Sequence, residues 1–392
     1  MERIVLICIT TFEMGGAERQ ALTLAMLLKK QGMRVLMAAF SEGGPVCDAC
    51  KKKNIPTVHF PPQISIFNII SIISTINQHN VDIIFSYCDH ANVMMSLAFP
   101  FTHASRMFWG QRDAGIGVHF LALFPGILDV PTAAISNSIA GRNFLEKVSG
   151  TLKIYHIPNA IQPRPAVHSR TQWRQRLDIP ENKTVFLMVG NLSQFKAHDL
   201  LLHAWALAQD SAAFSQNAAL VLAGHDSGQM GYLRQLVGEL HLEDSVIFTG
   251  QVSDISGLIC AADICVFSSR KEGLPNGILE CMYHGLPVIA LYNDGTNEAC
   301  SAVPGNLLIK EHTPENFKEG ILKFFSQKNL NAIGESNSKY VKTAFSPDIL
   351  CEKYLDIIEN VQCNKTIFLM LKSIKCLLMY YFIKLIKKLK TA

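Results

Sequence analysis

The order of apolar runs and helical patterns constrains the fold of this 392-residue chain more than any other feature. Short apolar runs that are typical of buried strands alternate with segments of helical periodicity over the first half. A stretch with several prolines, His156 to Pro180, interrupts this order, which then restarts over Thr184 to Ala290. Such alternation predicts parallel strands joined by right-handed crossover helices. The sequence therefore predicts two Rossmann-like α/β domains joined by a linker.

The predicted sheets also indicate where a ligand would bind. In open parallel sheets, ligands bind beyond the carboxyl ends of the strands. We expect both domains to direct these ends into one cleft. The predicted organisation is an N-terminal domain over residues 1–165, a second domain over 166–345, a return helix over 346–362 and a basic tail over 363–392.

The basic tail holds most of the excess charge. The formal net charge is +4, and residues 364–392 contain seven lysines and no acid. The rest of the chain is near neutral and gives no case for nucleic-acid binding. Apolar residues recur at helical spacing at positions 367, 371, 374, 378, 381, 385 and 389, and the lysines avoid this stripe. The pattern predicts a basic amphipathic helix at a membrane surface, with packing on the protein itself or on a partner as the alternative.

Two further features bear on the compartment. No uncharged apolar segment reaches the length of about 18 residues that a spanning helix needs, and the short run Ile4 to Ile9 predicts a strand rather than a secretory signal. The eleven cysteines are an odd number scattered through apolar segments, which favours reduced, buried thiols. We expect a cytoplasmic protein that is peripheral on the inner face of the membrane.

The strongest chemical signal is a pair of glutamates, Glu272 and Glu280, separated by seven residues. They directly follow the predicted strand Ile264 to Ser268, and a helix is predicted from about Gly277. The first turn of such a helix offers free N–H groups and a positive dipole end to a diphosphate. Glu280 could then accept the ribose hydroxyls, and Glu272 would lie near a bound sugar. The alternative is a solvated helix with two surface glutamates.

The segment Ser268 to Ala290 resembles the Glu-x7-Glu signature of the group 1 (family 4) retaining glycosyltransferases, which have the GT-B fold. The resemblance implies that Glu280 holds the ribose of a nucleotide sugar. It also implies that Glu272 and the turn after it hold the donor sugar and the β-phosphate. The implied turn residues are Leu274, Pro275, Asn276 and Gly277.

A second segment, Val189 to Asp199, resembles the part of the family in which an arginine and a lysine clamp the diphosphate. Gly190 and Lys196 match the pattern. Asn191 stands in place of the arginine, so half of the expected charge clamp is missing. An arginine fork binds phosphate more strongly than one neutral amide does. Either another cation compensates, or the donor binds weakly.

Two loops of the first domain complete the candidate residues. Gly15 and Gly16 allow the backbone to approach an anion at a helix start, although a plain turn would look the same. Their loop resembles the Gly-Gly-Ala-Glu loop of the family, which implies contact with the donor phosphates and puts Glu18 on the acceptor side. Many family members carry a histidine on a later loop, where this chain has Arg112 and Asp113. The resemblance implies an anion or sugar contact for Arg112 and an acceptor-side group in Asp113, with an ordinary loop ion pair as the alternative.

The resemblance implies a retaining transferase that moves a sugar from a nucleoside-diphosphate sugar to a saccharide or a lipid-linked saccharide, such as one on polyprenyl diphosphate. The expected setting is cell-surface polysaccharide or glycan biosynthesis. Glu272, Lys196, Arg112 and Asp113 are the candidate catalytic residues. The family needs no cofactor and no bound metal, and no Asp-x-Asp metal motif occurs in a suitable place. A UDP-sugar epimerase of the same fold and a non-catalytic GT-B scaffold are the alternatives.

Overall fold

The computed structural model describes residues 3–115, 121–362 and 366–391, with side chains up to residue 386 in the last helix. The chain divides into two units. Unit 1 comprises Met1–Ala160 and Pro347–Ala392, and unit 2 comprises Ile161–Ser346. Unit 1 therefore ends five residues before the predicted boundary at 165, and it includes the return helix and the tail.

The strands are β1 (Ile4–Cys8), β2 (Arg34–Ala39), β3 (Thr57–His59), β4 (Ile83–Tyr87), β5 (Arg106–Gln111), β6 (Ala133–Ser136), β7 (Ile154–His156), β8 (Thr184–Val189), β9 (Ala218–Ala223), β10 (Val246–Gly250), β11 (Ile264–Phe267), β12 (Val288–Leu291) and β13 (Leu307–Ile309). The helices are α1 (Gly16–Lys30), α2 (Pro45–Lys52), α3 (Ile66–Gln78), α4 (Asp89–Ala98), α5 (Ile139–Val148), α6 (Arg170–Arg176), α7 (His198–Ala208), α8 (Ala212–Asn217), α9 (Met230–Glu239), α10 (Ile255–Ala261), α11 (Asn276–Tyr283), α12 (Asp294–Cys300), α13 (Pro314–Ser326), α14 (Leu330–Ala344), α15 (Pro347–Asn360) and α16 (Ile367–Thr391).

Each unit is built on one parallel sheet. Unit 1 has seven strands in the order β3-β2-β1-β4-β5-β6-β7, and unit 2 has six in the order β10-β9-β8-β11-β12-β13. Apolar side chains alternate between the two faces of the first sheet. Val5 and Ile7 join one buried cluster, and Leu6 and Cys8 join the other. Burial on both faces explains why these strands are continuous apolar runs. The predicted pair of parallel α/β domains is confirmed.

Helices α3, α4 and α16 cover the same face of the unit 1 sheet. In α3, Ile69, Ile72 and Ile76 recur at helical spacing and are buried, and the Ser65 hydroxyl accepts the N-cap hydrogen bond from the Asn68 amide. A hydroxyl at this position satisfies one of the amides that the first helical turn leaves without a partner. The helical spacing of apolar residues predicts a helix over Ile66 to His79, and α3 ends one residue earlier, at Gln78.

The final helix, α16, packs on α4 by one face only. The Tyr380 ring stacks on Phe124 with a centroid distance of 4.9 Å, and the Ser373 hydroxyl donates to the Ser96 carbonyl at 3.3 Å. The opposite face carries the predicted apolar stripe and is exposed. The helix thus contacts its own unit and still presents an apolar surface, so both sequence-based alternatives hold in part. The exposed side chains on that surface include Ile367, Phe368, Leu371, Ile374, Leu378, Tyr381, Phe382 and Leu385.

Unit 2 begins with a buried arginine that ties its first helix to the sheet. Arg174 is 1% exposed, and its guanidinium donates to the Asp263 carboxylate at 2.8 Å and to the Lys183 carbonyl at 2.9 Å. A buried charge is tolerated only with such partners. This network attaches the proline-containing segment after Ile161 to unit 2. No helix in the described ranges is long and apolar enough to cross a membrane.

Candidate functional site

Two neighbouring strands of unit 2 carry the segments that the sequence singles out. β8 and β11 pair in parallel, so their carboxyl ends meet at one edge of the sheet. Gly190 and Asn191 directly follow β8, and Glu272 lies on the loop after β11. Sequence segments about 80 residues apart are therefore brought to one edge.

The helix α11 starts at this same edge. Pro275 is its N-cap residue and forms no side-chain cap, so the backbone N–H groups of the first turn project from the N-terminal end of the helix along its axis. Gly277 lies in that turn, where a Cβ would collide with the Val189 carbonyl oxygen. Only glycine lets the helix start approach the end of β8 so closely. The close approach brings the positive end of the helix dipole beside the Gly190 backbone.

Both glutamates of the motif point away from bulk water. Glu280 is 8% exposed, and the side chain of Glu272 is 15% exposed. The alternative of a solvated helix with two surface glutamates is therefore wrong. A carboxylate is rarely buried without a polar role. Glu272 lies on the loop that leads into α11, and Glu280 lies within α11.

Lys196 and Glu272 form an ion pair across this edge. The Lys196 Nζ lies 2.5 Å from Glu272 Oε1, and its side chain is 21% exposed. The same ammonium lies 4.8 Å from the centroid of the Phe267 ring. The aliphatic part of Lys196 passes over Gly190, which has no side chain to block it. The candidate cation is therefore held at the site by an acid.

Two residues that sequence reasoning missed fix the loop after β11. The Ser268 hydroxyl donates to the Lys196 carbonyl at 2.8 Å, and Asn293 Nδ2 donates to the Ser269 carbonyl at 2.8 Å. Asn293 also caps α12 through its side-chain oxygen, which accepts from the Thr296 amide. These contacts join three consecutive loops of the edge. Their signal in the sequence was only polar residues just after strands, which is common in any loop.

Behind Lys196 the chain turns through an unusual backbone position. Ala197 has a φ of 48°, a left-handed conformation that residues other than glycine rarely adopt. His198 follows it and is 2% exposed, with no hydrogen-bond partner at either ring nitrogen. Burial lowers the pKa of His198 to about 4, and the Lys196 charge adds to this effect. The imidazole is therefore neutral at pH 7 and contributes no charge to the site.

In unit 1, the Gly15–Gly16 loop forms the start of α1 as predicted. Gly15 is the N-cap residue, and Glu18 lies in the first turn. Burial raises the pKa of Glu18, while hydrogen bonds from the Glu18 and Gly15 amides partly offset that rise. A carboxylate of the chain itself thus occupies the helix start where an anion was expected. An incoming phosphate would compete with Glu18 for these amides.

Arg112 is held by two tyrosines. Its Nη2 donates to the Tyr354 hydroxyl at 2.9 Å, and its guanidinium lies 3.9 Å from the centroid of the Tyr87 ring. The hydroxyls of Tyr87 and Tyr354 are 3.3 Å apart. These contacts of Arg112 are with aromatic residues, and the alternative of a loop ion pair stays a prediction. Tyr354 comes from α15, 242 residues away, and no local signal predicted it.

Asp113 is engaged by its own loop. Its Oδ1 accepts from Gln111 Nε2 at 2.8 Å and from the Gly115 amide at 2.7 Å, which closes a tight turn. Asp89 lies at the start of α4, on the neighbouring strand end. Burial raises the pKa of Asp89 to about 6, and the Asp113 charge adds to the rise. Two histidines, His90 and His119, are weaker candidates for site residues in the sequence. His90 packs edge-on against the Phe40 ring, and His119 lies outside the described residues.

Groups of three or more histidine, cysteine, aspartate or glutamate side chains with metal-binding geometry are absent from the described part of the chain. The donor-side groups of unit 2 are the Lys196–Glu272 ion pair, on the loops beside the start of α11, and the buried carboxylate of Glu280 within α11. This arrangement can bind an anion through the helix dipole and a cation.

The comparisons with known proteins agree with this geometry. The family model "Glycosyl transferases group 1" matches residues 183–327, which lie within unit 2. An uncharacterized glycosyltransferase of Haemophilus influenzae is 22% identical over 354 residues, 88% of this chain and 96% of that protein. The UDP-Gal:alpha-D-GlcNAc-diphosphoundecaprenol alpha-1,3-galactosyltransferase of Escherichia coli is 24% identical over 53% of this chain and 56% of its own length. Matches to seven curated relatives, this one included, cover only 39% to 60% of those proteins.

Among solved structures, Anabaena HepE in complex with UDP and glucose is similar with a TM-score of 0.79 and 20% identity. The match covers 91% of this chain and 99% of HepE. This likeness shows that the chain has the GT-B fold, with two parallel α/β units. The family match covers residues 183–327, less than half of the chain, so unit 2 is the part that is similar to the group 1 glycosyltransferases.

Proposed function

We propose that this chain transfers a sugar with retention of configuration from a nucleoside-diphosphate sugar to a saccharide or lipid-linked saccharide. One observation carries the proposal: the Lys196–Glu272 ion pair joins the loops after β8 and β11 just before α11 begins, and α11 itself carries the buried Glu280. A helix start, a cation and a buried carboxylate are the groups that a nucleoside diphosphate requires.

The donor binds with its diphosphate at the first turn of α11. Lys196 then exchanges the Glu272 carboxylate for phosphate oxygens, and Glu272 is released to accept hydroxyl groups of the sugar. Glu280 accepts the ribose hydroxyls from its buried position. The turn from Leu274 to Gly277 contributes backbone contacts to the β-phosphate.

Catalysis rests on stabilising the charge of the departing diphosphate. As the sugar–phosphate bond breaks, negative charge grows on the β-phosphate oxygens. The α11 dipole and Lys196 are preorganised at that position, and such electrostatic stabilisation is usually the largest catalytic contribution. The acceptor hydroxyl attacks the sugar from the same face from which the leaving group departs. The departing phosphate takes the proton of that hydroxyl. No side chain acts as a covalent nucleophile in this scheme.

On the acceptor side, we assign an anion or sugar contact to Arg112. Its support is a guanidinium that stacks on Tyr87. Asp113 acts there by shaping the loop that carries Arg112, because its carboxylate is engaged by that turn. Glu18 and the Gly15–Gly16 amides complete this set.

The acceptor is a lipid-linked saccharide, and the protein is peripheral on the cytoplasmic face of a membrane. The name of the E. coli relative describes an acceptor on diphosphoundecaprenol. Helix α16 has an exposed apolar face, and residues 364–392 contain seven lysines and no acid, which supports contact with anionic lipid. The ten described cysteines are all free, which agrees with a reducing compartment.

The membrane contact is best tested by substitutions rather than by removal of the tail. Residues Ala91–Ala98 of α4 are buried, partly by α16, so a deletion would uncover an apolar helix. The variant Leu371→Gln/Leu378→Gln changes only exposed positions. We expect it to float less with vesicles that contain anionic lipid, while Tyr232→Gln, an exposed position of unit 2, floats like the wild type. Equal flotation of all three proteins would contradict the membrane contact.

The activity itself is tested in two stages. Nucleotide sugars are screened for thermal stabilisation of the protein, since a ligand that binds the folded state raises its stability. Glu280→Ala is then assayed with the donor found, beside the surface control Glu243→Ala. We expect the Glu280 variant to lose at least about 2 kcal/mol of transition-state stabilisation, a factor of about 30, because a charged hydrogen-bonding group is removed. NMR of the product should show the anomeric configuration of the donor. Wild-type rates in Glu280→Ala, or an inverted product, would contradict the proposal.

A further inference from the structure

The donor edge of unit 2 carries less positive charge than its proposed ligand requires. The diphosphate of a nucleoside-diphosphate sugar brings about two negative charges at pH 7. Asn191 supplies none where an arginine was expected, and the Lys196 charge is already matched by Glu272 at 2.5 Å. If Lys196 were the only cation, the ligand would displace one carboxylate without gaining a second positive contact. Another cation at this edge would correct the balance.

Few loops can provide that cation. The loops after strands β8 and β9 offer only Lys196 and His225 in the described part of unit 2, and the loop after the edge strand β13 offers Lys310. The loop after β11 offers Arg270 and Lys271. β11 is adjacent to β8, so its loop lies beside Asn191 and Lys196, whereas β13 lies two strands further along the sheet.

Arg270 is the member of this pair whose backbone is fixed to the Lys196 turn. Its amide donates to the Phe195 carbonyl at 3.2 Å, next to the Ser268 hydroxyl that contacts the Lys196 carbonyl. Its side chain is exposed and forms no ion pair with another residue in the described ranges. A guanidinium that is anchored at its backbone and uncommitted at its head is suited to a two-pronged contact with phosphate oxygens.

We propose that Arg270 supplies the second cation of the diphosphate clamp and so replaces the arginine that Asn191 lacks. The inference rests on the proposed function, because it concerns the same donor site. It deepens that proposal by assigning phosphate recognition to a residue of the loop after β11. Arg270 and Lys196 then approach the diphosphate from two neighbouring strand ends.

The test uses the full-length chain, UDP as the probe and isothermal titration as the readout. Arg270→Ala should raise the UDP dissociation constant about tenfold or more, as expected for a lost charged hydrogen bond. Lys271→Ala removes an equal charge from the next position and should change it less than about threefold. Both residues are exposed, so thermal unfolding of each variant should match the wild type. Equal effects of the two substitutions would overturn the proposal.

A rescue makes the assignment specific. Introducing Asn191→Arg into the Arg270→Ala background should return UDP affinity to within about threefold of wild type, because the clamp regains a second cation. A rescue absent in the double variant would overturn the role of Arg270 as a substitute. A wild-type protein that binds none of UDP, GDP and dTDP would instead overturn the proposed donor site itself, so the two failures are distinguishable.

Discussion

The two units carry candidate residues at the carboxyl ends of similar parallel sheets, yet the residues are engaged differently. In unit 2, Lys196 and Glu272 contact each other across the loops after β8 and β11, and Glu280 is buried in the helix that follows. In unit 1, Asp113 is engaged by its own turn, and Arg112 is held by a tyrosine from α15. Unit 2 is arranged around a site, whereas unit 1 satisfies most of its candidate groups internally.

This difference teaches where each function can be sought. A site whose charged groups contact one another at a helix start is preorganised for an anion and should respond strongly to single substitutions. Where the fold already provides hydrogen-bond partners for the polar side chains, a substitution should lower the free energy of unfolding more than it lowers ligand affinity. The following predictions test this contrast, beginning with the largest expected effect.

Removal of the unit 2 cation should have the largest effect. With the donor found in the screen, Lys196→Ala should lower kcat/KM about 100-fold, since preorganised groups at a developing charge contribute effects of this size. Lys323→Ala, an exposed lysine of α13, is the matched control. Adding Glu272→Ala to Lys196→Ala should cost little more, because residues in contact are not additive. A Lys196 variant as active as the control would remove the contrast between the units.

Tyr354→Phe tests the opposite expectation in unit 1. It removes the hydroxyl that accepts from Arg112 and leaves a buried guanidinium N–H unsatisfied, which costs about 1–3 kcal/mol. We expect a lower thermal unfolding temperature and an unchanged UDP dissociation constant. Tyr232→Phe, at an exposed position, should alter neither. Loss of UDP affinity in Tyr354→Phe would make the two units more alike than proposed.

A pH series sharpens the same point for Asp89. Its pKa is raised from 3.8 to about 6, so the folded state binds the proton more tightly than the unfolded state does. The stability associated with this group is present below about pH 4 and is lost as the pH rises through 6. Asp89→Asn should therefore unfold at the wild-type temperature at pH 4 and at a higher temperature at pH 8. The same difference in unfolding temperature between Asp89→Asn and the wild type at pH 4 and at pH 8 would refute the expectation.

The smallest effect concerns the turn behind Lys196. Ala197 has a φ of 48°, which glycine adopts without steric cost. Ala197→Gly should raise the free energy of unfolding by about 0.5 kcal/mol in urea titrations, because relief of strain slightly exceeds the entropy lost. The same substitution at Ala206, inside α7, should lower it by about 1 kcal/mol. Destabilisation at both positions would mean that the Ala197 turn is not strained.

Much of the fold followed from local pattern. The apolar runs bounded by turn residues predict strands over Thr184–Val189 and Ala133–Ser136 and a helix over Ile255–Ala261, and the structure has all three with these bounds. The α16 stripe was also evident, although its packing on α4 was not. That packing is made by Ser373 and Tyr380, and nothing in the spacing of apolar residues distinguishes these two positions from the rest of the helix.

Spacing alone indicated proximity only for groups that share one stretch of chain, and Lys196 and Glu272 were assigned to one site through the family resemblance. Glu272 and Glu280 lie within a single loop and helix, so their spacing already implied proximity. The Arg112–Tyr354 contact joins residues 242 positions apart, and the cap formed by Glu18 depends on local burial. No periodicity or residue spacing in the sequence indicates either contact, because the residues come together only in the folded chain.

The central claim is that a nucleoside diphosphate binds at the start of α11. Amide hydrogen exchange of the full-length protein with and without UDP tests it most directly. We predict slower exchange on UDP addition in two segments, residues 190–196 and 276–280, which follow β8 and begin α11. Exchange that slows only in unit 1, or in neither segment while UDP is bound, would contradict the account.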